Sequence, residues 1–152
     1  MKQCLKRVLI ILFAVILLPI NGFIARAESV TDFMYLEDGS YITITLSTSR
    51  DRAAGTKTAT KTYVYHANDG TEEWRAVLTG SFRYTGSSSS CTNSSCAVEI
   101  ANTKWYIVSK TAYTNGNSAL ADLVMGYKWL GITTKKFTVN LSMSCDANGN
   151  LS

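Results

Sequence analysis

Beyond residue 40 apolar and polar side chains alternate with period two over most of the chain, the pattern of half-buried β-strands. Ile42, Ile44 and Leu46 fall on one face, and Tyr41, Thr43 and Thr45 on the other. Thr48 to Thr56, with Arg50, Asp51, Arg52 and Gly55, reads as a loop. Thr58 to Tyr65 is rich in Thr, Tyr and Val, which suit a pleated surface. Asp69-Gly70 then supplies the positive φ that a hairpin turn needs. Trp74, Ala76, Leu78, Phe82 and Tyr84 share one parity, interrupted by Gly80, where a bulge or a close approach is expected. Thr85 to Ser95 is Gly/Ser/Asn-rich and reads as a loop containing Cys91. Cys96, Val98 and Ile100 restart the alternation, Trp105 to Tyr113 forms another strand, and Asn115-Gly116 is a further hairpin signal.

Residues 118–130 admit two readings. As a helix, Leu120, Leu123, Val124 and Tyr127 make one stripe, with Asn117 as N-cap and Gly131 as C-cap. As a strand, Ala119, Ala121, Leu123, Met125, Tyr127 and Trp129 share a face. Phe137, Val139, Leu141, Met143 and Cys145 alternate strictly with polar residues and need a strand partner. Residues 118–129 are the nearest segment of matching length, so the strand is preferred, with a turn at Leu130-Gly131-Ile132. Seven or eight short strands predict an all-β domain. The expected architecture is an antiparallel, immunoglobulin-like β-sandwich or a partly closed barrel.

Charge changes the picture at the amino end. Four of the 15 Lys and Arg, and none of the 11 Asp and Glu, lie in the first 27 residues, so residues 28–152 are charge-balanced. Lys2, Lys6 and Arg7 precede an unbroken apolar run from Val8 to Leu18, and Ala25-Arg26-Ala27 is a small-x-small site. These are the parts of a secretory signal peptide, with cleavage expected between Ala27 and Glu28. The run is too short for a membrane anchor, which wants about 20 apolar residues. Cys4 precedes the apolar run, whereas a lipid-anchor cysteine would follow it. Expected are a leader over 1–27, a single all-β domain over 28–152 without a transmembrane segment, and secretion or attachment at the cell envelope. The basic balance belongs to the leader, so it is no argument for nucleic acid.

Export favours disulfides. Cys91, Cys96 and Cys145 allow three single pairings. Joining Cys91 to Cys145 closes the largest loop and would stabilise by roughly 4 kcal/mol; Cys91–Cys96 would constrain much less. Cys96 is then the odd thiol, either a small core residue in phase with Val98 or a reactive one. With one histidine, His66, and no C-x-x-C, no zinc site is expected, and nothing in the sequence calls for a cofactor.

Catalytic patterns are scarce. His66 lies at a strand end before a turn and lacks a nucleophile motif. Glu37-Asp38 and Glu72-Glu73 are adjacent, and neighbours on a strand point to opposite faces, so they read as solvated turn charges. Asp146-Ala147-Asn148-Gly149-Asn150 has its glycine at the wrong offset for a calcium loop and reads as a C-terminal turn. The candidate ligand-binding residues are Trp105, Tyr113, Tyr127 and Trp129, because flat rings on a β surface stack on sugars or anchor proteins. Trp74, Tyr63, Tyr65 and Tyr84 could add to such a patch. Against this, a small domain must bury most of its large rings, Trp74 first.

Several segments resemble a group of small, uncharacterised secreted proteins of Gram-positive anaerobic bacteria. They are the leader, Leu36-Glu37-Asp38-Gly39-Ser40, the Gly80 to Gly86 strand with its Ser-rich loop and Cys91, Trp105, Leu130-Gly131-Ile132, and the closing Cys145 to Ser152. The resemblance implies a cysteine pair equivalent to Cys91 and Cys145 and β structure over 118–129. It carries no catalytic residue, and Cys96 departs from its pattern.

The expected function is a non-catalytic binding module outside the cell, with a protein or glycan of the envelope as partner. A secreted antagonistic peptide or small toxin is the alternative, though a neutral domain lacks the basic face that attacks anionic lipid. A small hydrolase, or an inhibitor of one, is third.

Overall fold

The computed structural model describes residues 28–49 and 55–152. The expected leader, its Ala27 cleavage position and the centre of the Arg50–Arg52 loop lie outside the described residues. Eight antiparallel strands follow one another: β1 (Glu28–Tyr35), β2 (Tyr41–Ser49), β3 (Thr56–His66), β4 (Glu72–Tyr84), β5 (Ser89–Ile100), β6 (Trp105–Asn115), β7 (Ser118–Trp129) and β8 (Ile132–Ser144). They form a five-stranded sheet, β1-β2-β3-β4-β5, and a three-stranded sheet, β6-β7-β8. The two sheets pack as the expected sandwich. Both are meanders, so likeness to the immunoglobulin fold extends to two packed sheets and not to strand order.

The alternation decides which faces meet. Trp74, Ala76, Leu78 and Phe82 of β4 are buried against Ala119, Ala121, Leu123 and Met125 of β7 and Val139, Leu141 and Met143 of β8. Residues 118–129 are the strand, paired with β8 from Ser118↔Ser144 to Trp129↔Ile132. Leu130 and Gly131 both take positive φ, 50° and 81°, as a two-residue hairpin requires. Gly80 marks a close approach: a Cβ there would lie 2.8 Å from the Ala119 Cβ and 2.7 Å from the Phe82 ring.

Two segments differ from expectation. Residues 28–35 form β1, which the alternation did not predict, because it pairs only with β2 and leaves Phe33, Met34 and Tyr35 exposed. Of the Ser-rich segment expected as a loop, only the start is one. β5 begins at Ser89, and Cys91 pairs with Phe82. Ladder hydrogen bonds to β4 carry a polar strand that its side chains do not announce.

A candidate aromatic cleft at one end of the sandwich

The chain passes from one sheet to the other through residues 101–104, and Glu73 anchors that passage. Its backbone carbonyl accepts the N–H groups of Ala101 and Asn102, each at 3.0 Å. Its Oε2 accepts Asn102 Nδ2 and Trp105 Nε1, each at 2.7 Å. The register explains why a carboxylate from the strand start is available. Tyr65 pairs with Trp74 but His66 pairs with Glu72, so Glu73 is the extra residue of a bulge. A bulge re-aims side chains. Glu72 stays outside and holds Arg75 through two bonds of 2.8 Å, while Glu73 turns to the Trp105 indole. The expectation that both are solvated turn charges is therefore corrected for Glu73.

Around this carboxylate lies a cleft of about 240 Å³ lined by Tyr65, Ala67, Glu73, Trp105, Tyr127 and Lys135. Tyr65 stacks on Trp74 at 5.3 Å, and Trp105 meets it edge-on at 5.3 Å. Tyr127, directly across the ladder from Trp105, contacts it edge-on at 5.2 Å. Lys135 stands at the rim and pairs with Asp38 Oδ2 at 2.7 Å. The turn Leu36–Ser40 presents Asp38: Leu36 N–H donates to the Ser40 carbonyl, and Gly39 takes φ 80°. The Lys135 ammonium, then the Ser40 hydroxyl and N–H, hold the Asp38 carboxyl well below the usual range. The same carboxylate raises the Lys135 ammonium.

Of the four aromatics singled out in the sequence, the structure brings two together. Trp105 and Tyr127 wall the cleft, Trp105 almost wholly buried. Trp129 is 54% exposed and lies under the Lys104 ammonium, 4.5 Å from its ring centre. Trp129 is the last residue of β7, paired with Ile132 beside the exposed hairpin turn and beyond the packed core. Tyr113 is exposed near the far end of β6 and takes no part. Sequence reasoning missed Glu73 and Lys135. It also missed an exposed row of rings across β1, β2 and β3, in which Phe33, Tyr35, Tyr41 and His66 follow one another at 6.5, 5.9 and 4.7 Å.

His66 is occupied by this row and by two hydrogen bonds, Nδ1 with the Gly70 carbonyl at 3.2 Å and Nε2 with Thr43 Oγ1 at 3.3 Å. The Asp146 carboxylate accepts the N–H groups of Asn148 and Asn150, each at 2.8 Å, as a closing turn does. Among the described residues no cluster of His, Cys, Asp and Glu could hold a metal ion.

The other end of the sandwich carries the cysteines. Cys91 N–H donates to the Gly116 carbonyl at 2.9 Å and Cys145 N–H to the Asn117 carbonyl at 3.1 Å. Consecutive carbonyls of one turn thus hold the backbones of both Cys91 and Cys145, at one end of the sandwich but not at disulfide distance. The expected bridge is not formed in this structure: Cys91, Cys96 and Cys145 are all free thiols. Burial pushes each of the three thiols up. Cys96 is half-buried beside Val98 against the core.

No family model matches the chain, and no curated protein or solved structure matches it.

Proposed function

We propose that this chain is an exported, non-catalytic binding module that holds one sugar ring of an envelope glycan in the Trp105–Tyr127 cleft. The observation that carries the reading is the cleft itself: aromatic walls around a fixed carboxylate, with an ammonium at the rim. The half-buried Tyr127 ring takes the C–H face of a pyranose, with Trp105 and Tyr65 behind it as a rigid floor, while Glu73, Lys135 and the Tyr65 hydroxyl offer acceptor and donors to its hydroxyls. Catalysis is disfavoured by the same contacts. Glu73 Oε2 already accepts two N–H donors and Lys135 is paired, so neither is poised as a free base. Outside the cell Cys91 and Cys145 close into a disulfide. The two thiols give up two protons and two electrons to a disulfide-bearing oxidant, which is reduced to two thiols.

Titration with methyl glycosides of common hexoses and N-acetylhexosamines tests the reading, followed by tryptophan fluorescence and by amide shifts around residues 101–105. Saturable binding near the millimolar range is expected for a single ring. Tyr127→Ala should weaken it about tenfold or more, a loss of roughly 1.4 kcal/mol. Absence of binding by every glycoside, and by isolated envelope polysaccharide, would remove it.

A further inference from the structure

A sandwich built from two open sheets has four edge strands, and an unprotected edge is a template for another strand. Here the edges are β1, β5, β6 and β8. β5 and β6 pack beside each other, and β6 also carries a bulge between Ile107 and Ser109. β1 lacks a bulge, a proline and a lysine: its register with β2 is unbroken from Glu28 to Tyr35, and its only charges are the acids Glu28 and Asp32, which a basic edge would accept. Its apolar side chains are open on both faces, with Phe33 53% exposed, Met34 47% and Tyr35 76%.

β8 is complementary. Its last residues have begun to acquire a neighbour: Cys145 bridges to Leu151, and Ser144 exchanges backbone hydrogen bonds with Ser152 at 2.9 and 3.0 Å. One step back, the Tyr63 hydroxyl meets the Ser142 carbonyl and N–H at 3.3 and 3.4 Å, where a strand would otherwise bond. From Lys136 to Asn140, β8 has no strand on that side among the described residues. The floor beneath is apolar and incompletely covered. Phe137 of β8 sits on Tyr65 of β3 and Trp74 of β4. The next strand position, about 4.8 Å further out, therefore lies over β2, where Ile44 and Leu46 are only half-buried. Charge selects what fits there. β8 contains two lysines and no acid, whereas β1 contains two acids and no base.

The geometry points to head-to-tail strand addition between copies of this chain, with β1 of one copy lying beside Lys136–Asn140 of the next. Phe33 and Tyr35 then face the half-buried Ile44 and Leu46 of the receiving copy. Asp32, of opposite parity, comes to the outer face with Lys136. Because two different edges meet, the contact is heterologous and leaves a free β1 and a free β8 at the ends, so assembly continues beyond a dimer. The inference is independent of the cleft reading, since Lys136, unlike Lys135, does not line the cleft.

Sedimentation velocity on the full chain, expressed with its leader and purified as the cell delivers it, provides the test. At low salt a concentration-dependent series of oligomers is expected, shifting to monomer as salt shortens the screening length to a few Å. Lys136→Glu and Asp32→Lys should each abolish the series alone, and an equimolar mixture of the two should restore it, because every contact then pairs opposite charges again. Phe33→Ser, at an exposed position, should abolish it without touching any charge. Far-UV circular dichroism confirms that each variant keeps its β spectrum. A monomer at every concentration, a dimer that survives Lys136→Glu as a symmetric β1–β1 contact would, or a folded mixture that fails to reassemble would each overturn the inference.

Discussion

The two ends of the sandwich solve the same problem, joining one sheet to the other, by different means. At the cleft end side chains do most of it, beside the Glu73 carbonyl bonds to Ala101 and Asn102. Glu73 ties Asn102 and Trp105 together, Asp38 reaches Lys135, and the rings of Tyr65, Trp105 and Tyr127 stand around an opening. At the cysteine end hydrogen bonds to backbone do it. Cys91 and Cys145 bond to the Gly116–Asn117 turn, and Gly86 N–H bonds to the Ala147 carbonyl at 2.8 Å. Ser89 Oγ and Asn117 Nδ2 both donate to the Cys145 carbonyl, at 2.6 and 2.7 Å. Backbone joints satisfy polar groups there and leave the buried Cys91 and Cys145 thiols as the reactive side chains, so that end reads as a clamp. Side-chain joints leave aromatic faces and charged groups at a surface opening, which a ligand can use.

The sharpest way to widen this contrast is oxidation. A Cys91–Cys145 bond would close a loop of about 55 residues and stabilise the chain by roughly 4 kcal/mol in the chain-entropy description. Urea unfolding with and without reductant should differ by about that amount, and Cys91→Ser with Cys145→Ser should erase the difference. Cys96→Ser should leave it in place. Non-reducing peptide mapping that joins Cys96 to either partner would break the comparison at once.

The contrast was only partly legible in the sequence. Period-two alternation placed β2, β3, β4, β6 and β8, because each has one face against a continuous core and the code is local. β7 became legible through its neighbour: the strict pattern of Phe137 to Cys145 demanded a partner, which outweighed the helical stripe of Leu120 to Tyr127. β1 and the first half of β5 were not legible, since their side chains bury little and their hydrogen bonds come from β2 and β4. The cleft was half legible. Trp105 and Tyr127 were singled out as large rings, but the inward aim of Glu73 depends on a bulge, and the exposure of Trp129 on its place at the end of β7. A bulge shifts parity by one residue and leaves no compositional mark at Glu73, so a reading that counts by twos goes wrong there.

The two buried tryptophans give a finer version of the comparison. The Trp105 indole N–H donates to a carboxylate. The Trp74 N–H is buried, with no hydrogen-bond partner among the described residues. Trp105→Phe removes a charge-assisted bond and should cost roughly 2–3 kcal/mol in urea unfolding. Trp74→Phe loses ring volume but also an unsatisfied donor, two effects of opposite sign, so about 1 kcal/mol or less is expected. Equal costs would mean that the Glu73 bond contributes nothing and that the cleft end is held by packing alone.

The smallest effect concerns the Asp38–Lys135 pair at the cleft rim. The folded Asp38 carboxyl titrates below its unfolded value of about 3.9. Its contribution is therefore in place above that value and disappears as pH falls through the folded one. Lys135 is raised, so its share is present below the unfolded lysine value of about 10.4 and disappears as pH rises through the folded one. The pair thus acts across the whole neutral range and weakens at both extremes. Its side chains are 43% and 50% exposed, so solvent screening limits the effect to about 1 kcal/mol or less. Asp38→Asn should lower the melting temperature by a few degrees at pH 7 and by a clearly smaller amount at about pH 2, where the contribution is already being lost. An equal difference at both pH values would assign the loss to the Ser40 turn bonds instead of the ion pair. The rim would then owe its shape to the Leu36–Ser40 turn, as the far end owes its shape to backbone.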